Sequence, residues 1–130
     1  MLENFRKFLE SGDWEQLAGL YAEDAILDGN VPAWRYQRRG RAEIAEQYRN
    51  AYGRATHGVV EWDEKPADWG AVVEMAELFM PGTEQELYAR TSNTFELEDG
   101  LIVRHTFYCT GPWDKDTVAR QQATAPMVEG

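Results

Sequence analysis

The hydrophobic pattern of this 130-residue chain changes period once, and that change limits the fold more than any motif. Up to about residue 53 the apolar residues recur at helical spacing. Leu2, Phe5, Phe8 and Leu9 share one helical face, and Ser11-Gly12 ends that helix. Asp13 is a good N-cap with Gln16 three residues on, as in a capping box. Trp14, Leu17, Ala18 and Tyr21 form the apolar side of a second, short helix. Ala25-Ile26-Leu27 reads as a brief strand that ends at the turn Asp28-Gly29-Asn30, and Val31 to Gly40 reads as a loop. A third helix is expected from Arg41 to about Tyr52, apolar along Ile44, Ala45, Tyr48, Ala51 and Tyr52, with Gly53 at its C-cap.

After that the period moves toward two. Gly58–Glu64, Ala71–Met80, Gln85–Leu97 and Leu101–Cys109 read as strands. Pro66 to Gly70, Pro81-Gly82 and Glu98-Asp99-Gly100 are the turns between them. Helices followed by long strands describe an α+β domain, with the helices packed on one face of a curved antiparallel sheet. Beyond it, 114–130 is expected to be a partly flexible tail with one helical turn near Thr117–Gln121.

Composition narrows the partners. A chain of this length buries roughly two-thirds of its unfolded surface, enough for one core, so 1–113 is expected to be a single domain. Thirteen Lys and Arg against 23 Asp and Glu leave a net charge of −10. That excludes nucleic acid as the default partner and disfavours an anionic membrane surface. No apolar run approaches the roughly 20 residues of a membrane helix, and Met1 to Lys7 lacks the apolar stretch of a signal peptide. One cysteine, Cys109, precludes an internal disulfide; with no secretion signal, the expected location is the cytoplasm. His57 and His105 are the only histidines, no zinc spacing occurs, and no Gly-rich loop precedes a helix. No metal and no cofactor are expected.

The order of the pieces resembles the nuclear transport factor 2-like superfamily, SnoaL-like branch. The residues that carry the resemblance are the paired N-terminal helices, Leu20-Tyr21-Ala22-Glu23-Asp24-Ala25, Gly40-Arg41-Ala42-Glu43-Ile44, and four long strands ending in Asp99-Gly100-Leu101-Ile102-Val103. Trp34-Arg35-Tyr36-Gln37 and Tyr108-Cys109-Thr110-Gly111-Pro112-Trp113-Asp114 resemble a bacterial SnoaL-like subgroup. The resemblance runs from about Leu2 to Trp113. It implies a cone: a sheet wrapped around three helices, a pocket at the open end, and a homodimer through the sheet. It does not name the chemistry. Aligned with the ketosteroid isomerase-like site, the tyrosine position falls on Phe5, the base position on Gly29 with Asp28 one residue early, and the acid position near Ser92. That activity is therefore not expected. The limonene epoxide hydrolase-like arrangement of Asp, Arg and Asp lacks its last-strand Asp. Like the SnoaL-like cyclases, the chain has an Asp and a His for proton transfer, Asp28 and His105.

Those two are the catalytic candidates. His105 alternates with Val103, Phe107 and Cys109 on a face that the resemblance turns toward the pocket. A carboxylate at the mouth of an apolar pocket has its pKa raised, which suits Asp28 as a base. The plain alternatives are a packed core histidine and an exposed turn aspartate. Trp34, Tyr36 and Phe107 are candidate walls for a small apolar ligand, and Tyr36 or Tyr108 a candidate to hold a polar atom. Arg90 either binds a polar group of the ligand or pairs with a carboxylate across the sheet surface. Glu74 and Glu77 point to opposite faces; one of them facing inward is a candidate acid or base, though exposure is the expected state of both. His57 reads as a loop residue and Cys109 as a small core residue. The leading reading is a cofactor-free lyase, isomerase or cyclase acting on a small apolar or carbonyl-bearing molecule. The alternatives are a non-catalytic small-molecule binder and a dimerisation module.

Overall fold

The computed structural model describes residues 2–53, 55–125 and 127–129. Pro126 and Gly130 of the expected tail, like Met1 and Arg54, lie outside the described residues. Helices α1 (Glu3–Ser11) and α2 (Trp14–Ala18) open the chain. They separate at Gly12, whose φ of 74° lies in the left-handed region that favours glycine. Asp13 caps α2, its carboxylate accepting from the Gln16 backbone N–H at 3.4 Å. Helix α3 is Arg41–Tyr52. Phe5 and Leu9 of α1, Leu17 of α2, and Ile44 and Tyr48 of α3 are buried against the sheet.

The sheet runs in the order β2-β1-β6-β5-β4-β3, with the two-residue β7 (Trp113–Asp114) paired to β5. Its strands are β1 (Tyr21–Val31), β2 (Trp34–Arg39), β3 (His57–Ala67), β4 (Gly70–Phe79), β5 (Leu87–Glu98) and β6 (Leu101–Cys109). The pairings are antiparallel except β1 with β6, which is parallel. Parallel neighbours need a crossover, and here β2, α3 and β3 to β5 lie between them in the chain. Register shifts at Tyr21/Ile26, Val59/Glu61 and Glu96/Leu97 coil the sheet around the helices. At the tight crossing of β4 and β5, a Cβ on Gly70 would lie 1.9 Å from the Phe95 carbonyl oxygen.

The first strand is longer than its apolar core suggests. Asp28-Gly29-Asn30 is mid-strand, paired with Gln37, Tyr36 and Arg35 of β2. The segment expected as a loop is thus the second arm of a hairpin, turned at Pro32-Ala33. Its outward residues Arg35, Gln37 and Arg39 are polar, so hydrophobicity alone does not mark it as a strand. His57, expected in a loop, opens β3. The helical turn expected in the tail is the ten-residue α4 (Lys115–Thr124), capped by Asp114, whose carboxylate accepts from the Thr117 N–H at 2.8 Å. Among the described residues no helix is long and apolar enough to cross a membrane.

Candidate functional site

Alternation sends Leu87, Ala89, Thr91, Asn93 and Phe95 of β5 and Val73, Met75, Glu77 and Phe79 of β4 to the concave face. Helix α3 lays Tyr48 and Tyr52 over them, one turn apart. At the open end the two layers diverge and leave a cavity of about 320 Å³. Its walls are apolar (Leu27, Val31, Ala51, Met75, Phe79, Leu87, Ala89, Phe107), interrupted by a few polar side chains: Tyr36, Gln47, Tyr48, Tyr52, Glu77, Thr91 and Asn93. Tyr36 reaches the wall from β2 because Gly29 stands opposite it; a Cβ there would lie 2.4 Å from the tyrosine Cζ.

Glu77 is the one carboxylate in this lining. It is 4% exposed, and both its oxygens accept from the Tyr52 hydroxyl, at 2.8 and 2.9 Å. No Lys or Arg among the described residues forms an ion pair with it. Burial pushes its pKa above the ordinary carboxylate value, against the opposing pull of the Tyr52 hydrogen bond and of His57. The expectation that Glu77 is exposed is corrected: β4 lies mid-sheet, where its concave parity leads into the cavity. Glu74, of the opposite parity, is exposed as expected.

Asp28 and His105 are not brought together. On the parallel pair, Leu27 stands beside His105 while Asp28 stands beside Thr106, so the two side chains leave opposite faces of the sheet. Asp28 faces the convex side, where Arg35 donates to it from Nε at 2.9 Å and Nη2 at 2.7 Å. Arg104 adds a third contact at 2.8 Å and Gln37 a fourth at 3.2 Å. The hydrogen bonds from Arg35 lower its pKa to about 2 despite the burial that opposes them. The expected upward shift is therefore reversed, because the strand read as a loop supplies the arginine.

His105 faces the concave side but stops short of the cavity. It is 1% exposed and stacks on Phe95 with ring centroids 4.1 Å apart. Its Nδ1 lies 2.7 Å from the Tyr21 hydroxyl and its Nε2 2.8 Å from Asn93 Oδ1. Burial lowers its pKa to about 3, so the ring is neutral at physiological pH.

Of the expected ligand walls, Tyr36 and Phe107 line the cavity, and their rings meet at 6.2 Å. Trp34 does not; it is 70% exposed at the hairpin end. Tyr108 is 63% exposed on the convex face. Arg90 is on that face too, donating to Glu61 at 2.6 Å and to the Tyr88 hydroxyl at 2.7 Å, which is the cross-sheet pairing weighed against ligand binding. Cys109 lines the cavity, with its thiol pKa raised by burial. His57 donates from Nε2 to the Leu9 carbonyl at 2.6 Å. Among the described residues no three His, Cys, Asp or Glu side chains gather as a metal set.

Sequence reasoning passed over Gln47, Thr91 and Asn93 as site residues and took Tyr48 and Tyr52 as apolar helix face. A signal existed: Thr91 and Asn93 interrupt an otherwise apolar row in β5, and polar residues on a core face need a reason.

A coiled sheet wrapped over helices, with an apolar, sparsely polar cavity at its open end, defines the α+β cone class. The family model of the SnoaL-like domain matches residues 2–105, and the chain belongs to that family. No curated protein matches it in sequence. Among solved structures it is similar to a candidate polyketide cyclase from Xanthomonas campestris pv. campestris, with 21% identity, TM-score 0.69, and 82% of this chain and 85% of that chain covered. It is similar to an LEH-like epoxide hydrolase from M. tuberculosis, with 18% identity, TM-score 0.65, and 83% and 78% covered. A phenazine biosynthesis-related protein from Pseudomonas aeruginosa gives 19% identity, TM-score 0.62, and 98% and 88% covered. At such identities the likeness is one of fold.

Proposed function

We propose that the protein is a cofactor-free acid–base enzyme of the isomerase, lyase or cyclase type. Its substrate is a small, mostly apolar, carbonyl-bearing molecule held in the open-end cavity. Glu77 is the proton-transfer group. The observation that carries this reading is a buried carboxylate in an apolar cavity with no lysine or arginine paired to it among the described residues. Loss of solvation makes such a carboxylate a stronger base than it is in water. It takes a proton from carbon next to the substrate carbonyl, leaving an enolate, and returns it as acid to a second carbon or oxygen. Tyr52 orients the carboxylate through its hydroxyl.

Solvent exchange tests this without knowledge of the natural substrate. Cyclic enolisable ketones incubated in D2O are expected to exchange their α-protons faster with the protein than without it. Glu77→Gln is expected to lower that acceleration by roughly 100-fold or more. Equal exchange by wild type and variant would sink the assignment. Tight ketone binding without exchange would favour the non-catalytic binder.

A further inference from the structure

His105 does not line the cavity, yet its two nitrogens link the Asn93 carboxamide to the Tyr21 and Tyr48 hydroxyls. Asn93 donates through Nδ2 to the Val73 carbonyl at 3.2 Å and to Thr91 Oγ1 at 2.9 Å. The Val73 carbonyl can only accept, so the carboxamide orientation is set, Thr91 receives the second N–H, and Oδ1 is the atom facing the imidazole. A carboxamide oxygen only accepts. The proton of the neutral ring therefore sits on Nε2, 2.8 Å away. That leaves a lone pair on Nδ1, and the Tyr21 hydroxyl at 2.7 Å must donate to it. The Tyr21 oxygen is then the acceptor for the Tyr48 hydroxyl at 3.2 Å.

Two consequences reach the cavity, which both Tyr48 and Thr91 line. The proton of Tyr48 is directed inward, so its oxygen has lone pairs left to offer. The oxygen of Thr91 already receives the Asn93 N–H, and its own proton has no acceptor among the described residues. The Asn93 carboxamide thus makes Thr91 a donor directly, and through the His105 imidazole and Tyr21 it makes Tyr48 an acceptor.

We infer that Asn93 and His105 are positioning residues that together set this polarity, His105 carrying it to Tyr48, and that the cavity selects a hydroxy-carbonyl compound. The ligand hydroxyl donates to Tyr48 and the ligand carbonyl accepts from Thr91. The inference rests on the cavity being the ligand site, and it deepens the substrate class proposed above. It does not depend on Glu77 moving a proton.

The test is binding, with two bicyclic probes of one shape: 2-naphthol, which has a proton to donate, and 2-naphthaldehyde, which can only accept. Both are expected to bind the wild-type protein. Tyr48→Phe is expected to weaken 2-naphthol about 3–10-fold, the worth of one hydrogen bond, and to leave 2-naphthaldehyde within about twofold. Thr91→Val is expected to do the reverse. Both variants are near-isosteric and leave His105 in place. The same crossed pattern is expected in Glu77→Gln protein, so failure of the catalytic reading leaves this outcome unchanged. A crossed pattern of opposite sense, a common loss for both probes, or no binding of either overturns the ligand class. The role of His105 has its own readout, which a merely packed ring does not predict. Long-range nitrogen–proton NMR of the wild-type protein at pH 7 is expected to show the Nε2–H tautomer. An Nδ1–H tautomer or an imidazolium overturns the assignment.

Discussion

Asp28 and Glu77 are equally hidden from solvent, at 2% and 4% exposure, and their pKa values move in opposite directions. Both are strand residues with short hydrogen bonds to each carboxylate oxygen. They differ in depth and in what donates: Asp28 lies on the convex face under the largely solvated Arg35, while Glu77 lines the inner cavity. Asp28 receives a guanidinium fork, a second arginine and an amide. Glu77 receives one phenol. A cation compensates a desolvated charge and a neutral donor does so only in part. Burial alone therefore does not mark a catalytic carboxylate. Burial without a paired lysine or arginine, beside empty apolar space, is the sharper mark.

The comparison breaks most visibly at Asp28. Asp28→Asn keeps the shape and removes the charge the arginines hold. The loss expected at pH 7 is about 1–2 kcal/mol of stability, taken below the full worth of the pKa shift because Arg35 is largely solvated. The sign follows from the lowered folded pKa. The stabilisation is present above the unfolded value, about 4, and is lost as pH falls toward about 2. Urea unfolding of both proteins at pH 7 and pH 2.5 checks this, and the gap between them should close at the lower pH. No gap at pH 7 would mean that solvated arginines hold the carboxylate no better than water does.

Why the sequence put Asp28 ahead of Glu77 has a physical answer. The periods of the three N-terminal helices and of β3 to β6 are local, and each is written within about ten residues. The inward parity of a strand is not local. It depends on which neighbour the strand pairs with and where the bulges fall, as at Glu96/Leu97. Asp28 and His105 looked like partners because Asp28 read as the end of the first strand, at a pocket mouth, and the resemblance turned the His105 face of the last strand toward the same pocket. One residue of register on the β1–β6 pair sends them to opposite faces. The β2 arm was hidden because Pro32 and an alternation of arginines with aromatics resemble a loop. Losing β2 also lost Arg35, and with it the reason Asp28 is ionised. Glu77 was legible as opposite in parity to Glu74. Only the closed cone shows that its side is the inner one.

A smaller effect probes the weak side of the comparison. Tyr52→Phe removes the donor to both Glu77 oxygens. At pH 8 the cost is expected to be about 1–2 kcal/mol, because an ionised carboxylate loses its hydrogen bond. At pH 5 the cost should be smaller, since Glu77 escapes by taking a proton. The Tyr52 hydrogen bond lowers the Glu77 pKa in the native protein, so its removal raises that pKa further. Thermal melts at the two pH values decide it. An equal cost at both would show that Glu77 does not titrate in this range.

Glu77→Gln carries the smallest stability effect and the most telling sign. Because the folded pKa of Glu77 is raised, the native state holds its proton more tightly than the unfolded chain does. The contribution of Glu77 to stability is then fully present below the unfolded value, about 4.3, and is lost as pH rises through the folded value. This is the reverse of Asp28. Glutamine does not titrate, so the variant should lack that part of the decline. At pH 8 it should be as stable as the wild type or up to about 1 kcal/mol more so, since a desolvated charge has been replaced by a neutral amide. The same substitution is expected to lower the acceleration of proton exchange on ketones by roughly 100-fold or more. A variant clearly less stable than wild type at pH 8 would show that Glu77 is held as an anion, as Asp28 is. The cavity would then lose its base. A variant that gains stability while losing exchange would show instead that the fold accepts a destabilising charge at the one place where the proposed chemistry needs it.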